Sequence, residues 1–324
     1  MKNAKQYRKL YEQKAQECFC DYGYYYPPRT WEELTAWDAA SFEKYLSGVK
    51  RGVEKTTAYL GLLDSVNALG FYIAFEKPDY QLLNDVLFQS SRYKLLHSTT
   101  MGSGTDHSLA FWELTNAFAC NNFDVIDYFL PQHLPLSKGQ YYFEVAANLL
   151  KGLYYNDSAT KETAVRMTEK FLKKNIAQWE RYIISYLKAL VESDLQRAIE
   201  NLQLLCGGYR RMVHFGGKYA TCFASEVHGL YRLARQIDPD FFSQLTRPSH
   251  DCFFEEFEVW QQENKYPQGR LFYNYPQDLD YMNKILSAKL PVVALVNSVQ
   301  PKGKPYKDAD RFALDLTTNT EAKY

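Results

Sequence analysis

The sequence predicts an all-α fold, an irregular, tetratricopeptide-like array of helical hairpins with an N-terminal helical cap. Three observations point there. Apolar residues recur at spacings of three and four through most of the chain, the period of a helix with one buried face. The runs are punctuated by residues that start and stop helices. Five times, an apolar run closes on a small polar turn and begins again. These turns follow Ala74-Phe75, Ala117-Phe118, Leu153-Tyr154, Ala189-Leu190 and Ala234-Arg235. They lie roughly 35 to 45 residues apart, the spacing of stacked helical hairpins. Such folds usually act by presenting a surface.

Taken in order, Tyr7, Leu10, Tyr11 and Ala15 mark one face of a first helix, which Pro27-Pro28 excludes from continuing. Thr30 and Glu33 have the spacing of a capping box for the next helix. A long helical stretch from about Ser41 to Phe75 carries Phe42, Tyr45, Leu46, Val49 and Val53, but Gly48, Gly52, Gly61 and Gly70 predict a break in it. After Pro78-Asp79 a helix runs to about Leu96, and Ser98 to Asp106 is the clearest internal loop. Hairpins then follow from Asp106 to Leu130 and from Gly139 through Leu172. In the cleanest unit, Ala177 to Tyr209, a turn capped by Ser193 with Gln196 separates two apolar stripes. Gly207-Gly208 is expected to stop the second helix with a left-handed residue. Thr221–Ile237 and Cys252–Gln262 read as further helices. Past Pro291 the helical period fades, and the polar residues after Ser298 predict an extended or disordered tail. The segments are therefore 1–100 (cap), 106–290 (repeat body) and 291–324 (tail), within one compact unit.

With 38 basic and 38 acidic residues the formal net charge is zero, so nothing global attracts nucleic acid or an anionic membrane. The 27 Tyr and 20 Phe exceed what most chains carry, and a surplus of tyrosine suits either helical cores or an interface. No run approaches the roughly 18 apolar residues of a membrane span, and the charged start leads into no export signal. Six cysteines at 18, 20, 120, 206, 222 and 252 form no regular framework, which fits free thiols in a reducing cytoplasm.

Catalytic chemistry is hard to find. Gly102-Ser103-Gly104-Thr105-Asp106 lacks the lysine and preceding strand of a phosphate loop. The histidines are scattered, with no pair three or four apart, and Cys222 is turned away from His228, which argues against a shared metal. No Gly-x-Ser-x-Gly elbow occurs. The expectation is no catalytic residue, no cofactor and no metal. One stretch is more suggestive: Asp251 to Trp260 mixes four aromatics with four acids. On one helix, Phe253, Phe257 and Trp260 pack inward, and Asp251, Glu255 and Glu258 share an outer face that could dock a basic partner. An ordinary solvated helix face is the plainer alternative.

From about Asp106 to Ala288 the chain resembles the Imm49 family of bacterial immunity proteins. The likeness lies in the helix ending Leu187-Lys188-Ala189-Leu190 before Ser193-Asp194, in the following Leu202, Leu204 and Leu205, and in Glu226 through Arg235. The resemblance implies an all-α, non-enzymatic cytoplasmic protein that binds a cognate toxin domain, often a nuclease, and occludes its active site. Two other readings stand beside it. One is a tetratricopeptide-like scaffold that binds a peptide segment, although the units lack that family's Trp-x-x-Leu-Gly-x-x-Tyr pattern. The other is an enzyme whose site is assembled from distant residues.

Overall fold

The turns make the architecture. In the computed structural model, which describes residues 2–22, 26–48, 55–62, 66–101, 105–212, 217–297 and 305–321, nearly all regular structure is helical. The N-terminal part holds α1 (Lys2–Tyr22), α2 (Trp31–Gly48), α3 (Lys55–Leu60), α4 (Val66–Ala74) and α5 (Tyr80–Thr100). Next come α6 (Phe111–Phe118), α7 (Val125–Phe129), α8 (Tyr142–Tyr154), α9 (Ser158–Leu172), α10 (Gln178–Val191) and α11 (Leu195–Gly208). The chain continues with α12 (Ser225–Ile237), α13 (Pro239–Gln244), α14 (Glu255–Glu263) and α15 (Asp280–Ser287). It finishes with an antiparallel pair, β1 (Leu295–Asn297) and β2 (Pro305–Lys307), and α16 (Ala309–Glu321).

Three of the repeated turns close in the same way. The N–H groups of Asn122, Asp157 and Asp194 reach back to the carbonyls of Ala117, Gly152 and Ala189 at 3.0, 3.2 and 2.9 Å. The residues just before them, Asn121, Asn156 and Ser193, adopt φ of 59°, 50° and 53°. This is the Schellman closure, which satisfies the last carbonyls of a helix at the cost of one left-handed residue. Asp157 and Asp194 then cap the next helix, accepting from the N–H groups of Ala159 and Arg197 at 3.0 Å each. The residue that accepts the closing bond is small in each case. At Gly152 an added Cβ would lie 3.1 Å from the Lys161 backbone, so the two helices of that hairpin meet too closely for a larger side chain.

Several boundaries differ from the sequence expectation. Ser193 does not cap; it takes the left-handed position, and Asp194 supplies the capping oxygen. Gly207-Gly208 does not stop α11 with a left-handed residue; Gly208 has φ of −89°, and a 3-10 turn continues to Arg211. Thr30 Oγ accepts from the Glu33 N–H at 3.2 Å as a capping box requires, but Glu33 reaches back to the Arg29 N–H at 2.7 Å. The expected extended tail is ordered at Ala309–Glu321. Ala309, Phe312, Ala313 and Leu316 recur at three and four and bury as one stripe of α16, with Phe312 and Leu316 in the main core. A polar composition hid a short amphipathic period.

The hairpins α8–α9 and α10–α11 are full-length and pack side by side. Elsewhere the second helices shrink to five and six residues, in α7 and α13, and α12 packs chiefly on α6. The cap is not a separate body: Tyr7 and Tyr11 of α1 share a core with Phe71, Phe75, Phe223, Phe254 and Phe257. Arg92 of α5 donates to the carbonyls of Leu286 and Ala288 at the end of α15, a cation placed where a helix C-terminus favours one.

Helix α12 lies close against α6: a Cβ at Gly229 would sit 1.7 Å from the Thr115 carbonyl oxygen. At Gly207 nothing lies within 4 Å of an added Cβ. Gly229→Ala is therefore expected to destabilise by about 3 kcal/mol or more. Gly207→Ala should stabilise by about 0.5–1 kcal/mol. Urea unfolding of both variants measures the two effects, and equal shifts would contradict the helix contact.

Candidate functional site

Helix α12 places His228 and Arg232 four residues apart on its inner face, and α14 places Glu258 opposite them. The Arg232 Nη2 and Nε donate to Glu258 Oε1 and Oε2 at 3.0 and 3.3 Å. Its Nη1 donates to the Ala119 carbonyl at the end of α6, and its guanidinium carbon lies 4.8 Å from the Phe257 ring centroid. His228 Nε2 accepts from the Phe254 N–H at 3.1 Å. The neutral ring must then carry its proton on Nδ1, which donates to Glu258 Oε1 at 2.5 Å. The ring also stacks on Phe253, 4.1 Å between centroids and 8° between planes.

Burial lowers the His228 pKa, and the Arg232 charge pushes it the same way, so the ring stays neutral despite its bond to Glu258. For Glu258, burial alone would raise the pKa, but the Arg232 charge and the hydrogen bonds from His228 and Arg232 hold it below the usual carboxylate value. The result is one carboxylate, one guanidinium and one neutral imidazole, exposed by 1%, 0% and 0%. The composition is that of an acid–base site, with all three groups buried. It fixes three helices to one another.

A layer of amides extends this cluster. Gln261 Nε2 donates to Asn84 Oδ1 at 2.6 Å, and Asn121 Nδ2 donates to Gln261 Oε1 at 2.8 Å and to the Pro267 carbonyl at 2.9 Å. Residues 267–275 then cross α5 without regular structure. Asp85 accepts from the Arg270 N–H at 3.0 Å, and Gln89 accepts from the Phe272 and Tyr273 N–H groups at 3.1 Å each. Side-chain amides thus replace the backbone partners that a buried loop would otherwise lack.

The three expected docking acids separate here. Asp251 is exposed, with the Lys2 ammonium 3.1 Å away, and Glu255 is exposed, 3.6 Å from Arg247. Glu258 is not on the outer face: it is the buried anion described above. The expected helix over 252–262 requires Asp251 and Glu258 to share a phase, but residues 251–254 form a turn and α14 begins only at Glu255. Phe257, Glu258 and Gln261 consequently face inward, and Glu255, Glu256 and Glu263 face outward. The missed signal lies on α12, where His228 and Arg232 stand at helical spacing among Val227, Leu230 and Leu233. An arginine on an apolar face requires a buried anion somewhere.

The outward acids line an open groove of about 830 Å³. Among the described residues, Asp251, Glu255, Glu256 and Glu263 stand against Lys2 in the lining and Arg247 beside Glu255, and the walls are aromatic, with Tyr80, Phe254 and Trp260. Trp260 stacks on buried Phe257 at 6.1 Å, which fixes its ring. Among the described residues no group of His, Cys, Asp and Glu is placed to hold a metal ion, and no helix is long and apolar enough to cross a membrane. Of the Gly102–Asp106 loop, residues 102–104 lie outside the described residues; Asp106 caps the following turn, accepting from the Ser108 N–H at 2.8 Å. No family model, curated protein or solved structure matches the chain.

Glu258→Gln leaves Arg232 buried without its counter-charge, and unfolding in urea should show a loss of about 3–5 kcal/mol. Glu255→Gln on the surface should change stability by about 0.5 kcal/mol at most. The pH dependence follows from the same groups. His228 is held below its unfolded value of 6.5, so below that pH the unfolded chain binds a proton that the folded ring refuses. Buried His107 acts in the same sense. Stability should fall as the pH drops from 7 through the histidine range, and Lys151 and Lys307, each lowered by burial to about 8, make it rise with pH on the alkaline side as well. Depressed Glu258 extends the fall below its unfolded value of 4.5. A urea midpoint that rises on acidification from pH 7 would show the wrong sign.

Proposed function

We propose that this protein is an immunity protein that binds a cognate bacterial toxin domain and neutralises it by covering its active site. The observation that carries the reading is the groove beside α14, where four carboxylates outnumber the neighbouring cations Lys2 and Arg247 over aromatic walls. That chemistry suits a basic surface such as a nuclease toxin uses to hold its substrate. Aromatic anchors supply affinity, and the acidic rim steers encounter. The partner is excluded from nucleic acid by occupancy, so the inhibitor needs neither cofactor nor catalysis. The resemblance in the 106–288 region to the Imm49 family supports the same reading, with action in the cytoplasm where such a toxin would do its damage.

A second reading has one observation in its favour. A groove of about 550 Å³ between α9, α10 and α11 is lined by Lys173, Lys188, Arg197 and Asn201, groups that suit a peptide backbone or carboxylate. Lys188 and Arg197 are, however, already paired with Glu192 at 2.5 and 3.8 Å. Binding there would make the protein a peptide-binding helical scaffold.

Co-expression with the toxic C-terminal domain encoded beside its gene separates the two. Immunity predicts survival and a complex that co-purifies. Glu255→Lys with Glu256→Lys should then slow association by about 10- to 100-fold while leaving the urea midpoint in place. Unchanged kinetics would remove the groove as the docking site. No rescue and no complex from a folded protein would remove the immunity reading and leave the scaffold.

A further inference from the structure

Behind the groove lie two thiols and an imidazole that the docking reading does not use. Cys206, near the end of α11, and Cys252, in the turn before α14, are both buried and adjoin each other. Cys252 Sγ also lies 3.8 Å from the Cys206 carbonyl oxygen. His250 Nδ1 accepts from the Cys252 N–H at 3.2 Å and stands 3.0 Å from Cys252 Sγ. Because that nitrogen accepts from a backbone N–H, it carries no proton of its own, and its lone pair faces the Cys252 N–H and sulfur together. His250 is half-buried and lines the groove, so the ring joins solvent to the thiol pair.

We propose that Cys206 and Cys252 form a peroxide-oxidisable dithiol, with His250 as the proton acceptor for Cys252, that converts reversibly to a disulfide beneath the groove. The Cys252 proton passes to His250 Nδ1, and the thiolate attacks one oxygen of hydrogen peroxide. The O–O bond breaks, Cys252 becomes a sulfenic acid, and the departing hydroxide takes the proton from His250 to leave as water. Cys206 sulfur then attacks the sulfenic sulfur, the S–O bond breaks, and the second hydroxide leaves as water with the Cys206 proton. Two thiols and one peroxide give one disulfide and two waters. The roles are unequal by environment. Cys206 is the resolving thiol, since its contact with Cys252 and its burial both disfavour the thiolate.

The other cysteines give an internal comparison. Cys120 is buried without a histidine; burial pushes its thiol up to about 12, and it donates to the Ala117 carbonyl at 3.0 Å. Cys20 is exposed. A bond between Cys206 and Cys252 ties α11 to the turn that carries Asp251, so oxidation bears on the groove, but its formation does not depend on what the groove binds.

The test treats the purified full-length protein with equimolar hydrogen peroxide, unfolds it, alkylates free thiols and maps the peptides. The expected result is a Cys206–Cys252 linkage that a dithiol reductant reverses, with Cys120 still fully alkylated. Cys206→Ser should leave a sulfenic acid at Cys252 that a dimedone reagent captures. His250→Asn should slow the linkage by at least about tenfold. Full alkylation of Cys206 and Cys252 after peroxide, or oxidation confined to Cys20, overturns the proposal on the unmodified protein alone.

Discussion

An arginine without solvent must have an anion, and Arg232 dictates the arrangement around it. Its guanidinium is fully buried, so Glu258 has to arrive from α14 and the Ala119 carbonyl from α6, each at hydrogen-bonding distance. Those two requirements fix α14 and α6 against α12. Gly229 lets α12 approach close enough for the second of them, since any side chain there would strike the Thr115 carbonyl. His228 completes the set by satisfying Glu258 with one nitrogen and the Phe254 N–H with the other. It thereby pins the turn that leads into α14. From Gln261 the same logic passes through Asn84 and Asn121 to residues 267–275 and α5. A buried charge is a poor source of net stability, but a demanding specifier of geometry.

The groove inherits its shape from this constraint. Apart from Lys2 on α1, the residues that line it stand on α14, on the segment before it and at the start of α5, elements that the cluster and its amide layer hold in place. Trp260 packs on Phe257, and Phe257 lies under the Arg232 guanidinium. The acidic rim is therefore presented by a rigid wall. A pre-ordered surface favours the docking proposed above, because ordering a loose surface would consume binding energy.

The helical class and the turns were legible because both are local. The Schellman closures and aspartate caps arise from residues adjacent in the chain, and each closure left a mark in sequence: a small residue, a left-handed Asn or Ser, then Asn or Asp. The phase of α14 was not legible. A helix counted from Cys252 directs Glu258 outward, whereas one begun at Glu255 directs it inward, and the difference is set by His228 bonding the Phe254 N–H from another helix. The order of α16 was hidden for a similar reason. Its stripe of Ala309, Phe312, Ala313 and Leu316 is too small to stand alone and acquires stability only from the core contributed by Phe129 and its neighbours. Asp251 and Glu255 were readable as exposed acids, and their groove partners Tyr80 and Glu263 were not, because folding alone brings them together.

The most direct test of the central claim is a double-mutant cycle on Arg232 and Glu258, replacing each with Met singly and together and measuring unfolding in urea. If the pair acts as one unit, each single variant strands a buried charge, and the double variant is more stable than either, with a coupling of about 2 kcal/mol or more. Losses that simply add in the double variant would mean that the two charges do not depend on each other, and that something else positions α14 and the groove.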